Sequence, residues 1–209
     1  MSKKEDVLSF FNEILPNAGC ELIYSTDYGF LISVMLSAQT TDKKVNQVTE
    51  VLFNKYPSLN DLSNADIIDI ENILKPLGLF KNKARHIINI SKTLIDEYGG
   101  VVPKEKEELV KLSGVGNKTA NVVRAEIFKI PEFPVDTHVH RICKRLGFVS
   151  ENATVEDVEK KMRSVLEEKE YILSHHQFIH FGRYFCKATK PNCIECKLHK
   201  YCNYYKDIK

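Results

Sequence analysis

Apolar residues recur at helical spacing along almost the whole chain, and no stretch alternates apolar and polar between turn signals as a strand would. Val7, Phe11, Ile14 and Leu15 share one face before Pro16. Phe30, Leu31, Val34 and Met35 begin a more uniformly apolar, core-type helix after Asp27, which reads as its N-cap. Val45, Val48 and Leu52 mark a helix closed by Pro57. Ala84, Ile87, Ile88, Leu94 and Ile95 mark a longer one that ends at Tyr98, before the stop signal Gly99-Gly100. Thr154 with Asp157 has the pattern of a capping box opening a helix from Val155 to Glu168. The chain is therefore expected to be all-α, with about ten helices of ordinary length. Its 209 residues are enough for one domain or two small ones.

Ordinary apolar and charged fractions argue against disorder, and no apolar run approaches the ~20 residues of a membrane span. The opening MSKKEDVLSFF carries acids and no apolar signal core. The expectation is an intracellular, cytoplasmic protein without a secretion signal or transit peptide. A net charge of +2 does not announce a nucleic-acid partner, but its distribution is uneven. From Ile73 to Ile95 there is no acid, while Lys75, Lys81, Lys83, Arg85 and Lys92 are basic. The end of the chain carries lysines at 187, 190, 197, 200, 206 and 209 against Glu195 and Asp207. Such local excess can neutralise phosphates; it is equally the pattern of a solvated helix face and a soluble tail.

The strongest chemical signal is Cys186, Cys193, Cys196 and Cys202, spaced C-x6-C-x2-C-x5-C. Four thiolates this close in an intracellular chain point to a metal or cluster site rather than to disulfides. Zinc and a [4Fe–4S] cluster both take four cysteines, and spacing does not separate them. Cys20 and Cys143 stand apart and read as small core residues.

A second signal is LSGVGNKTA, Leu112 to Ala120. A phosphate-binding loop of the G-x-x-x-x-G-K-[ST] type needs glycine directly before the lysine and a strand before the loop. Here Asn117 precedes Lys118, and Lys104 to Leu112 reads as a helix, so a nucleotide clamp is disfavoured. What remains is a helix, a tight Gly114-Val115-Gly116 turn and a second helix from about Asn117 to Phe128. Free amides at the start of that helix can bind a phosphate oxygen. Lys118 lies in its first turn, where the helix dipole disfavours a cation; a neutral amine there is a nucleophile able to form a Schiff base. A helix–turn–helix corner with an exposed lysine is the bland alternative.

The third signal is VDTHVHRI, Val135 to Ile142. Asp136 can cap the helix that follows, and His138 is turned away from Asp136 and His140 on that helix. A capping aspartate with surface histidines accounts for the segment structurally. A carboxylate near an amine nucleophile would instead transfer protons and stabilise positive charge at a reacting carbon.

These stretches, together with LSAQTTD (Leu36 to Asp42), resemble the endonuclease III family of DNA glycosylase/AP lyases in order and separation across nearly the whole chain. LSGVGNKTANVV corresponds to the family's helix–hairpin–helix. The resemblance implies two helical domains flanking a DNA-binding cleft. One is a six-helix domain over 22–132; the other is a cluster domain of 1–21 plus 133–209, with a [4Fe–4S] cluster on the four cysteines. It implies a bifunctional enzyme that removes oxidised pyrimidines from duplex DNA, acts on abasic sites and cuts the strand by β-elimination. It further implies a monomer with no membrane partner. Residue by residue, Lys118 corresponds to the nucleophile and Asp136 to its carboxylate partner. Gln39 corresponds to the residue filling the gap left by a flipped nucleotide, Leu79 to a wedge, His138 to a strand contact, and Gly114 and Gly116 to the DNA-backbone hairpin. The basic stretches around Lys81 to Lys92 and in the cysteine loop would meet phosphates. Two departures stand out: Ser113 where the family commonly has proline, which would loosen the hairpin, and Asn117 where a basic residue is common.

Overall fold

The computed structural model describes residues 2–207, so Lys209 of the basic tail lies outside the described residues. Every regular element in this range is helical, and no strand occurs among the described residues. The chain divides into two compact units, one of residues 21–128 and one of residues 1–20 with 129–209.

Helix α1 (Lys3–Ile14) belongs to the second of these and opens with a complete capping box between Ser2 and Glu5. The central unit holds α2 (Asp27–Leu36), α3 (Asp42–Lys55), α4 (Leu59–Ser63), α5 (Ile67–Leu74), α6 (Phe80–Tyr98), α7 (Lys106–Leu109) and α8 (Asn117–Ile127). Every residue of α2 from Gly29 to Leu36 is buried, and the one polar side chain among them, Ser33, donates its hydroxyl to the Gly29 carbonyl at 2.8 Å. Its N-cap is Thr26 rather than Asp27: the threonine hydroxyl accepts from the Gly29 N–H at 3.1 Å. Asp27 takes the first helical position, where its charge complements the dipole. α6 ends as expected at Gly99, whose φ of 60° lets the Gly100 N–H reach the Leu94 carbonyl at 2.7 Å.

The helix expected from Lys104 to Leu112 shrinks to the single turn of α7. Beyond it the chain tightens into three-residue bonds, Lys111 N–H to Glu108 O and Leu112 N–H to Leu109 O, which narrow the path into the glycine turn. 

The second unit adds α9 (Thr137–Arg145), α10 (Val155–Val165), α11 (Tyr171–His180) and α12 (Asn203–Asp207) to α1. The Thr154–Asp157 capping box is present, but α10 ends at Val165 and not at Glu168. Leu166 turns extended (ψ 155°) and puts its side chain into the core. That core is aromatic: Phe11 packs on Phe178 at 5.0 Å and on Phe181 at 4.7 Å between ring centres, and all three are buried. α11 runs directly into a π-helical turn, Phe181–Phe185, which delivers Cys186. Cys143 is buried in this core, whereas Cys20 is half-buried.

No helix among the described residues is long and apolar enough to cross a membrane.

Candidate active site and cysteine loop

The two glycines of the hairpin answer to different demands. Gly114 has φ of 77°, and a Cβ there would sit 2.8 Å from the His86 ring. Both facts are internal to the fold. Gly116 has an ordinary φ of −95°, and a Cβ would meet nothing within 4 Å. Nothing inside the unit excludes a side chain at 116, so the bare backbone there leaves room for an outside molecule to approach. Gly116 is the N-cap of α8 and offers no side chain to its first turn, which also lacks an acid. The opening amides of α8 thus form a bare positive end of the kind that takes a phosphate oxygen. Lys118 stands exposed in this first turn.

Ser113 does not loosen the hairpin as its departure from proline suggested. Its hydroxyl is 2.8 Å from His86 Nδ1, so the turn is tied to α6 on the side where Gly114 packs. Gly114→Ala is expected to lower stability by about 1–2 kcal/mol from the left-handed backbone alone, with more from displacing His86. Gly116→Ala should cost less than about 1 kcal/mol and weaken DNA binding instead. Thermal melts beside duplex-binding titrations of the two variants check the contrast.

Gln39 and Leu79 are both exposed and both left-handed, at φ 59° and 58°. A residue other than glycine in this region carries a cost of roughly 1–2 kcal/mol. Gln39 is the third residue of a turn closed by the Thr40 N–H on the Ser37 carbonyl at 3.1 Å, between α2 and α3. Leu79 is the N-cap of α6, makes no side-chain cap, and leaves 57% of its surface in solvent. An exposed leucine and an exposed glutamine held where glycine would be easier mark positions maintained for something other than folding.

Asp136 caps α9, with Oδ1 accepting the Val139 N–H at 2.8 Å. Among the described residues its Oδ2 has no hydrogen-bond partner, so one oxygen anchors the side chain and the other is left over. His138 and His140 are half-buried rather than surface residues. His140 Nε2 lies 2.8 Å from the Ala153 carbonyl. His138 packs so closely on the π turn that a Cβ on Gly182 would come within 2.9 Å of its own Cβ. Burial pushes the His138 pKa down from 6.5, with Arg141 and Arg183 acting in the same sense and Asp136 against it. His138 is therefore neutral at pH 7. The unfolded chain takes the proton first, so His138 makes stability fall as pH drops below about 6.5. His138→Gln is expected to show a smaller drop in melting temperature between about pH 7 and pH 5 than the parent.

Among the described residues no three His, Cys, Asp or Glu side chains converge tightly enough to ligate a single ion. Cys186, Cys193, Cys196 and Cys202 instead line one cavity, with about 380 Å³ of unfilled space, part of it open to solvent. Ile142, Leu146, Phe181 and Phe185 form its apolar wall. Burial raises the thiol pKa values of Cys186, Cys196 and Cys202, that of Cys196 to about 11. Donors that face the sulfurs include Arg145 Nη1 to Cys186 Sγ at 3.2 Å, the Tyr205 N–H to Cys202 Sγ at 3.4 Å and the Leu198 N–H toward Cys196. Arg145, buried and stacked on Tyr204 at 4.1 Å, also holds the carbonyls of Lys187 and Ala188. Nothing in the residue's sequence context signalled this role.

Not all of the basic stretches face outward. Lys83 is buried. Lys197 pairs with Glu13, and Lys200 with Asp6, which also accepts the Tyr201 hydroxyl at 2.6 Å. Both lysines pair with acids of α1 while their side chains stay largely exposed. Lys75, Lys81, Arg85, Lys92, Lys187 and Lys190 are exposed.

Residues 32–168 match the model of the HhH-GPD superfamily base excision DNA repair proteins. Over 198 residues the chain is 43% identical to endonuclease III of Bacillus subtilis strain 168, covering 95% of this chain and 90% of that protein. The chain belongs to the endonuclease III family. At 42% identity it is likewise similar to endonuclease III of Rickettsia felis, over 95% of this chain and 93% of the relative. Among solved structures, a trapped endonuclease III–DNA covalent intermediate superposes with a TM-score of 0.94 at 41% identity, covering 100% of this chain and 99% of that one. A non-covalent endonuclease III–DNA complex gives 0.95 over 100% and 98%. Family membership makes the chain a base excision DNA repair enzyme.

Proposed function

We propose that the chain excises oxidised pyrimidines from duplex DNA and then cuts the strand through a Schiff base on Lys118. It is a DNA glycosylase and AP lyase of base excision repair. The observation that carries the lysine assignment is an exposed amine in the first turn of a glycine-capped, acid-free helix directly after the hairpin. The superposition on an endonuclease III trapped covalently on DNA supports the same reading.

The target sugar cannot be reached within a stacked duplex, so the damaged nucleotide is first turned out. Gln39 and Leu79 would occupy the space it leaves, and the α8 amides beside Gly116 would hold a backbone phosphate. The Lys118 amine attacks C1′ through its lone pair: an N–C bond forms, and the glycosidic bond breaks with its electron pair leaving on the base, which takes up a proton. The unpartnered Oδ2 of Asp136 offers negative charge to the sugar as it becomes positive. Opening of the sugar ring gives an imine. Loss of a C2′ proton then expels the 3′ phosphate and cuts the strand. His138, neutral at pH 7, contacts the strand as a hydrogen-bonding group.

The four cysteines would hold a [4Fe–4S] cluster. They line one cavity with an apolar wall, and a cluster of this type takes four cysteine thiolates. When bound it would supply ligation, joining four points of a loop that has little other regular structure. Iron and sulfide analysis with a visible spectrum checks it: a yellow-brown protein supports iron, and a colourless zinc-loaded one sinks it.

Borohydride added during turnover on a duplex carrying an oxidised pyrimidine is expected to give a stable protein–DNA adduct, mapped to Lys118 by peptide mass spectrometry. An adduct on another residue, or strand cleavage with none, would overturn the assignment.

A further inference from the structure

Leu79, Lys83 and His86 follow one another at i, i+4 and i+7 along the start of α6, a spacing that puts them on one face. Lys83 keeps 4% of its surface in solvent, and its ammonium donates to the Ala38 carbonyl at 2.9 Å. Among the described residues no carboxylate faces it; burial alone lowers its pKa. An ammonium buried on these terms is costly, and a methionine of similar length would fill the space without desolvating a charge. Its retention calls for something that only a donor can do.

The atom that Lys83 holds is suited to such a task. Ala38 C=O and Gln39 N–H belong to one rigid peptide plane. Pinning that oxygen orients the plane from which the left-handed φ of Gln39 is measured. α2 ends two residues earlier with no basic side chain in its last turn, so Lys83 supplies from α6 the cation that a helix C-terminus favours. At its other end the same residue donates its backbone N–H to the Leu79 carbonyl at 3.0 Å. One lysine therefore bonds to the strained residue in one segment and to the peptide preceding the strained residue in the other.

We propose that Lys83 is a positioning residue that sets the spacing of Gln39 and Leu79, so that both enter the duplex together when a nucleotide is turned out. This rests on the reading of those two side chains as the ones that enter the DNA. It acts through them and touches neither the sugar nor Lys118.

The test compares single-turnover rates of the whole protein on two substrates, a lesion-bearing duplex and a single-stranded abasic oligonucleotide, which has no opposite strand to wedge. Lys83→Met is expected to lose roughly tenfold to a hundredfold on the duplex, the scale of a misplaced positioning group, and to keep its single-strand lyase rate. In a cycle with Gln39→Ala the double variant should be no slower on the duplex than the slower single one, because both changes disable one device. Equal losses on the two substrates, multiplicative losses in the cycle, or no loss at all would overturn the proposal. If Lys83→Met lacks a cooperative helical melt, Lys83→Leu, which likewise has no donor, enters the same cycle and is judged by the same outcomes. Wild-type protein that forms no borohydride adduct on either substrate would instead bring down the functional reading beneath it.

Discussion

Lys118→Ala is expected to abolish the borohydride-trapped adduct and to slow strand cleavage by a factor on the order of a thousand or more, with an unchanged melting temperature. The separation of chemistry from stability follows from where the residue sits. Lys118 is exposed in the first turn of α8, a position where alanine is the best helix former and where the dipole disfavours a cation. Removing the side chain gives up no packing. Duplex binding should weaken only modestly, since one ammonium among several exposed basic groups is lost. Asp136→Asn provides the contrast. Asparagine caps a helix as well as aspartate does, so α9 keeps its bond to the Val139 N–H while the negative oxygen disappears. Base release should then fall on the order of a hundredfold, with the fold intact and the adduct still formed slowly. Asp136→Ala adds a loss of about 0.5–2 kcal/mol from the missing cap. An adduct of undiminished yield in Lys118→Ala would refute the nucleophile assignment.

Cys202→Ser is expected to remove the visible absorption and most of the bound iron, and to destabilise the unit built from 1–20 and 129–209. A serine hydroxyl is a hard, weakly acidic donor and a poor replacement for a thiolate on iron. The loop it closes has only one 3₁₀ turn, His199–Tyr201, between Cys186 and Cys202, so few backbone bonds would hold it once a ligand is gone. Structural metal sites supply on the order of 10 kcal/mol. Losing even about 3 kcal/mol of this lowers the melting midpoint by roughly 6–12 °C. Hydrogen exchange would locate the change in the amides between Cys186 and Cys202. The Lys197–Glu13 pair is exposed and the Lys200–Asp6 pair partly so, and ion pairs of this kind are too weak to hold the loop to α1 unaided. A Cys202→Ser protein that keeps its colour and midpoint would mean that this thiol is not a ligand.

Much of the architecture is written in local chemistry. The all-helical class, the Thr154–Asp157 capping box, the cap at Asp136 and the stop at Gly99 depend on residues within one or two turns of one another. The family is equally legible, since four motifs in order constrain a chain far more than any one of them. Where the local reading erred, the competing choice was also local in scale: Thr26 capped α2 ahead of Asp27, and α7 tightened into the hairpin.

What the chain alone could not reveal depends on partners distant in sequence. Lys83, Lys197 and Lys200 look alike as letters in basic stretches. One is buried on a carbonyl forty-five residues away, and two are paired with acids of α1. Ser113 looked like a loosened turn until His86 was found against it. The left-handed backbone of Gln39 and Leu79 has no sequence signature, because neither is a residue type that prefers it. Most of the helices, several of their caps and the chemical repertoire follow from short-range backbone and side-chain preference. Only the tertiary structure decided which lysines face solvent, which glycine is needed by the fold, and which carbonyl a buried ammonium holds. Burial and hydrogen-bond partnership arise when segments far apart in the chain compete for the same space.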